Sequence, residues 1–166
     1  MNTIAATNPD LNSIGGENSQ YLTFILANEE YGIEILRVQE IRGWSKVTQL
    51  PNSPHYLKGV INLRGTIVPI IDLRDRFGMD ALDYGSTTVV IVVKVVSEEH
   101  ERVMGLVVDA VSEVYTVNNE QCQLPPEFGG GLDERFVKAL ASIDENMIII
   151  LDVDAFLTTE VSASIN

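Results

Sequence analysis

Lys58-Gly-Val-Ile-Asn-Leu-Arg-Gly-Thr-Ile-Val-Pro-Ile-Ile-Asp-Leu-Arg74 carries two runs of β-forming residues on either side of a turn. Val60, Ile61 and Leu63 lead in, and Ile67, Val68, Ile70 and Ile71 lead out. Asn62 to Thr66 supplies the bend, with Gly65 free to take a positive φ that other residues resist. The stretch is therefore a β-hairpin with Arg64 at or beside its tip. A guanidinium on such a stiff arm turns its fork of donors outward, which suits a carboxylate or a backbone carbonyl on another molecule. The competing reading is a turn residue that serves only solubility.

Outward from the hairpin, its second strand recurs. Val68-Pro-Ile-Ile-Asp-Leu73 lies over Ile148-Ile-Ile-Leu-Asp-Val153 at an offset of 80, and Tyr31-Gly-Ile-Glu-Ile-Leu-Arg-Val-Gln-Glu-Ile41 lies over Met104-Gly-Leu-Val-Val-Asp-Ala-Val-Ser-Glu-Val114 at an offset of 73. Gly, Val and Glu repeat in the second pair. Two matches in the same order point to an internal duplication, with the extra residues taken up between Tyr115 and Lys138. Each half is a set of short strands, sufficient for a small barrel but too small to be very stable alone, so the halves should pack together. A groove between two such barrels would be the natural seat for a ligand or a helix.

The totals agree with this picture. A chain of 166 residues, 45% hydrophobic and 21% charged, fits one domain or two small fused ones. No apolar run approaches the length of a membrane span, and residues 1–20 have neither a basic start nor an apolar signal core, so a cytoplasmic protein is expected. Cys122 is the only cysteine, which excludes an internal disulfide and a cysteine-based zinc site. A formal charge of −13 argues against nucleic acid and against anionic membrane. Residues 37–76 nevertheless hold seven basic side chains (Arg37, Arg42, Lys46, Lys58, Arg64, Arg74, Arg76) against three acidic ones, a local +4 that leaves −17 elsewhere. That segment either awaits an acidic partner or cancels against its own neighbours.

Along the chain, residues 1–19 read as a disordered tail, rich in Asn, Ser and Gly. Tyr21 to Ala27 and Tyr31 to Ile35 alternate as an antiparallel pair; Leu36 to Ile41 changes period and reads as a helical turn or bulge. Val47 to Leu50 reads as a short strand, Pro51 to Pro54 as a loop, and Asp72 as the N-cap of a short helix ending at Phe77. Gly78 to Ser86 links to Thr87–Val96, a strand apolar on both faces. Arg102 to Val108 returns, and Tyr115 to Asn119 is extended. A long loop holds Pro125, Pro126 and Gly129 to Gly131, and Phe136–Ile143 with Met147–Val153 forms a second hairpin about Asp144 to Asn146. A helical turn over Asp154 to Thr158 and a C-terminal tail at 161–166 complete the chain.

Signatures of catalysis are missing. His55 and His100 are isolated, no triad order, Gly-x-Ser-x-Gly or phosphate loop occurs, and Gly129 to Gly131 lacks the Lys that would cradle phosphate. No metal constellation or cofactor motif is expected. Val38, Glu40 and Ile41, with their counterparts Val111, Glu113 and Val114, read either as barrel core with water-facing glutamates or, for the first copy beside Arg64, as a working surface.

Glu30-Tyr31-Gly32-Ile33, Val38-Gln39-Glu40-Ile41, Lys58 to Gly65 and Val68-Pro69-Ile70-Ile71-Asp72-Leu73-Arg74, in this order and spacing, resemble the CheW family of bacterial chemotaxis coupling proteins, from about Gln20 to Glu160. The resemblance implies an all-β fold of two packed five-stranded SH3-like barrels with short helices. The first barrel would span roughly 20–83 and the second 84–160, with an exchange of strands between them left open. It implies a non-enzymatic adaptor that links the helical-hairpin tip of chemoreceptors to the regulatory domain of the histidine kinase CheA, recruited to receptor clusters at the membrane without inserting into it. An adaptor of another system, such as surface motility, would share these motifs. By motif match Val38, Glu40, Ile41, Lys58, Gly59, Asn62, Arg64, Thr88 and Val89 fall where the family engages receptor or kinase. A groove lined by Val38, Ile41 and Val89 would take an amphipathic helix, with Arg64 and Glu40 setting its register.

Overall fold

Runs of β-branched residues broken every few positions by Gly, Asn or Asp can satisfy their backbone groups only as short strands. The computed structural model describes residues 18–97, 100–125 and 136–154. Its strands are β1 (Asn18–Leu26), β2 (Glu29–Glu34), β3 (Val38–Gly43), β4 (Leu57–Leu63), β5 (Thr66–Asp72), β6 (Val89–Ser97), β7 (His100–Val108), β8 (Ala110–Asn118), β9 (Cys122–Gln123), β10 (Val137–Ile143) and β11 (Asn146–Leu151). Helical turns stand at Ile35–Arg37, Leu73–Arg76 (α1) and Asn119–Gln121. Of the tail expected at 1–19, Asn18 and Ser19 instead begin β1, paired with Asn118 and Val117; its remainder, the tail at 161–166, the Gly129–Gly131 loop and the turn beyond Asp154 lie outside the described residues.

The fold is all-β, with two packed barrel-like units. One sheet runs β8-β1-β2-β11-β10-β9 and the other β3-β6-β7-β5-β4. The duplication accounts for both orders. In the second sheet β5 pairs parallel with β7, Ile70 opposite Gly105; in the first β11 pairs parallel with β2, Ile150 opposite Gly32. These are the same two duplicated positions. Both places are tight: a Cβ on Gly105 would stand 2.5 Å from Ile70 Cδ1 and 2.8 Å from Val90 Cγ1, and one on Gly32 3.2 Å from Ile148 Cγ2. The bulge between Val38 and Glu40 on β3 likewise has its equal opposite β8, between Leu22 and Phe24. The halves thus exchange strands: β1 and β2 join β8 to β11, while β6 and β7 join β3 to β5.

Each unit closes through a minimal last pairing. Thr48 bridges Val60 of β4, and in the other unit β9 places Gln123 against Leu140 of β10. The short strand expected at Val47 to Leu50 is therefore reduced to a single bridge. Leu36 to Ile41 also differs from expectation: the helical turn ends at Arg37, and β3 with its bulge takes Val38 onward. β8 begins at Ala110, earlier than the extended segment expected from Tyr115, because it pairs along the length of β1.

Three apolar cores follow from two sheets used on both faces. Ile70, Val90, Val92 and Val107 fill one barrel, and Tyr21, Val117, Ala139, Ile148 and Ile150 fill the other. Between the sheets Phe24, Ile33, Ile71, Ile91, Val93, Met104 and Leu106 form the third, drawn from both units. β6 supplies opposite faces to two of these cores, which explains its uninterrupted apolar run. Among the described residues no helix is long and apolar enough to cross a membrane.

Candidate functional site

Arg64 and Gly65 take φ of 51° and 90°, the two left-handed residues of a tight hairpin turn. Asn62 holds the turn, its Oδ1 accepting from the Gly65 amide at 2.8 Å. The Arg64 side chain remains 73% exposed, yet its Nη2 donates to Glu40 Oε1 at 2.6 Å. Glu40 lies on β3, whose Arg42 stands 3.7 Å from the other carboxylate oxygen. The guanidinium expected to be free is therefore ion-paired within the chain. Exposed pairs of this kind contribute about 0–1 kcal/mol, so a partner's carboxylate can displace Glu40 at little cost.

The remaining expected site residues divide by role. Lys58 donates to the His55 carbonyl at 3.1 Å and pairs closely with Asp75. Gly59 has φ of 149°, and a Cβ there would stand 2.3 Å from the Thr48 carbonyl oxygen, so its smallness admits the barrel-closing strand. Thr88 is buried; its Oγ1 accepts from the Gly85 amide, and its carbonyl accepts from the Trp44 amide. Val38 and Val89 are half-buried against the inter-sheet core, while Ile41 is 44% exposed. Of the three residues expected to line a groove, Val38 and Val89 lean on the inter-sheet core and Ile41 is open to solvent. Of the nine, the structure brings Glu40, Asn62 and Arg64 together at the hairpin tip; Lys58 and Gly59 stand at the other end of β4, and Thr88 and Val89 lie beside Trp44 and Gly43.

Much of the basic segment is ion-paired within the chain. Arg37 pairs with Asp154, Lys58 with Asp75, Arg64 with Glu40 and Arg74 with Asp109. Arg76 lies over the rings of Tyr56 and Phe136, at 5.3 and 5.0 Å from their centroids. Lys46 lines an open cleft of about 690 Å³ with Trp44, Val47, Thr48 and Gln49. Trp44 packs on Tyr84 at 4.3 Å between centroids, and the Tyr84 hydroxyl donates to Asp72 Oδ2. Burial, reinforced by that bond to Asp72, pushes the Tyr84 hydroxyl far above the usual phenol range. Asp72 also caps α1 as expected, its Oδ1 accepting from the Arg74 amide at 2.9 Å.

Sequence reasoning missed Arg74 with Asp109 and Arg37 with Asp154. Arg74 Nε and Nη2 donate to the two Asp109 oxygens at 2.7 and 2.8 Å, and Arg74 Nη1 donates to the Asp80 carbonyl. Burial alone would raise the Asp109 carboxyl, but the hydrogen bonds from Arg74 and the Ala27 amide, with the Arg74 charge, hold it below the usual carboxylate range. Extending the match at the offset of 80 by one residue sets Arg74 over Asp154, a signal that was available.

Comparison with known proteins agrees with this architecture. A family model described as CheW-like domain matches residues 20–161. The chain is 43% identical over 158 residues to Chemotaxis protein CheW of Klebsiella aerogenes, covering 94% of this chain and 93% of that one. It is 39% identical over 153 residues to Probable chemotaxis protein CheW of Rhizobium etli, covering 92% and 96%. Among solved structures, the scaffolding protein TtCheW from Thermoanaerobacter tengcongensis superposes with a TM-score of 0.73 at 35% identity, over 81% of this chain and 88% of that chain.

Proposed function

The chain belongs to the CheW-like family, and from that premise we propose that it is a non-enzymatic chemotaxis adaptor coupling the cytoplasmic tips of chemoreceptors to the histidine kinase CheA. The observation that carries the proposal is the Glu40–Arg64 pair at the hairpin tip, exposed, weak in itself and held on a rigid arm. A helix presenting a carboxylate beside apolar side chains would take the Arg64 donors and cover Ile41. Val38, Lys58, Gly59, Thr88 and Val89 complete the set of residues assigned to partner binding.

Transmission is mechanical. Because strands are exchanged and a shared core lies between the sheets, a displacement of one barrel carries the other with it. A receptor movement then alters the kinase through contacts, with no bond made or broken. The test is co-purification of the full chain with the CheA regulatory domain and, separately, with a receptor helical hairpin. Capture of both supports the adaptor. Failure to capture either, or capture by kinases and receptors of a motility system alone, contradicts it.

A further inference from the structure

The two ion pairs missed by the sequence stand at duplicated places with their signs reversed. Where β7 of one unit passes to β8 of the other, Asp109 is held by Arg74 from the turn after β5. Where β2 passes to β3, Arg37 is held by Asp154 from the turn after β11, Nη1 to Oδ1 at 2.7 Å and Nη2 to Oδ2 at 2.6 Å. Arg74 and Asp154 are equivalent at the offset of 80; Asp109 aligns with Leu36, the neighbour of Arg37, at the offset of 73. The carboxylates also accept from equivalent amides, Asp109 from Ala27 at 3.0 Å and Asp154 from Val96 at 2.9 Å. Ala27 and Val96 follow corresponding positions of β1 and β6, which pair with β2 and β7 in the same way.

We propose that this reversal of sign selects the strand-exchanged fold over one in which each half closes upon itself. In the self-closed arrangement β5 would lie beside β2 and β11 beside β7. At the closest approach apolar packing does not separate the two arrangements, since Ile70 would meet Gly32 and Ile150 would meet Gly105, an isoleucine against a glycine in every case. The charges do separate them: Arg74 would face Arg37, and Asp154 would face Asp109. These side chains are only 15–30% exposed, so like-charge contacts there are poorly screened and disfavoured. The pairs sit at the two crossovers, where the chain passes from one unit to the other.

The test uses the full chain, refolded from urea and followed by amide nuclear magnetic resonance and size exclusion. The double variant Arg74→Asp/Asp109→Arg keeps both ion pairs in the exchanged fold and creates two favourable pairs in the self-closed one. It should show a second monomeric set of resonances at roughly one to ten per cent of molecules. Adding Arg37→Asp and Asp154→Arg restores the discrimination with all signs reversed, and a single set should return. A double variant that refolds as one species, or that fails to fold although its native pairs are intact, overturns the proposal. So does a fourfold variant that remains mixed or unfolded.

Discussion

Arg64 and Glu40 belong to opposite margins of the five-stranded sheet, in the order β3-β6-β7-β5-β4, yet they lie 2.6 Å apart. Only a sheet curled until its margins approach can bring the β4–β5 turn to β3. The pair therefore marks the closure of the first barrel. In the second barrel the counterparts of Glu40 and Arg64 are Glu113 and Asp144, and Glu113 instead accepts from the Tyr115 hydroxyl at 2.9 Å. The surface chemistry of the two units thus differs although their backbones correspond.

Because Arg64 is 73% exposed, Arg64→Ala should change stability by no more than about 1 kcal/mol. Urea denaturation of the two proteins measures this. A loss several times larger would make the pair structural and remove the reason to regard it as exchangeable.

Gly59→Ala should be far more damaging. Both its φ of 149° and the 2.3 Å approach of its Cβ to the Thr48 oxygen oppose any side chain, so a loss of about 1–3 kcal/mol or more is expected. Gly85→Ala, with nothing within 4 Å of the added Cβ, is the control. Thermal melting of both variants distinguishes a barrel-closing role for Gly59 from a contact role alone.

Ile41 and Ile91 face each other across β3 and β6, but Ile41 is 44% exposed and Ile91 is fully buried. Ile91→Ala should cost about 2–5 kcal/mol. Ile41→Ser should leave the melting temperature nearly unchanged while weakening capture of a receptor hairpin. Equal stability losses in the two variants would assign Ile41 to the core.

Asp109 is held below the usual carboxylate range when folded. A depressed carboxylate stabilises the fold above its unfolded value, about 3.9, and that contribution is lost as pH falls through the lower folded value. Stability followed by urea midpoint should therefore drop on acidification below about pH 4 more steeply in the parent than in Arg74→Gln. Parallel curves would show that the Arg74–Asp109 pair is not the source.

Much of this was legible in the sequence because it is local. The hairpin about Arg64 needs only alternating residues and a turn, and the cap at Asp72 needs only its own next turn. The duplication was legible too, since Gly32 and Gly105 each stand opposite an isoleucine of a parallel strand. The partner of each duplicated strand was not, because β2 and β7 carry similar apolar patterns about Gly32 and Gly105, and the charges at Arg37, Arg74, Asp109 and Asp154 that differ are distant in the chain. Val38 and Val89 were placed along a groove by the resemblance, which does not show how far the inter-sheet core covers each side chain. Glu40 and Arg64 were each singled out, while their contact required the curl of the whole sheet.

Kinase activity in a reconstituted array of receptor, CheA and this chain is the most direct measure of coupling. With Arg64→Ala the protein should remain folded while receptor-stimulated phosphorylation falls well below the parent level. Full stimulation by the folded variant would contradict a coupling role for the hairpin tip.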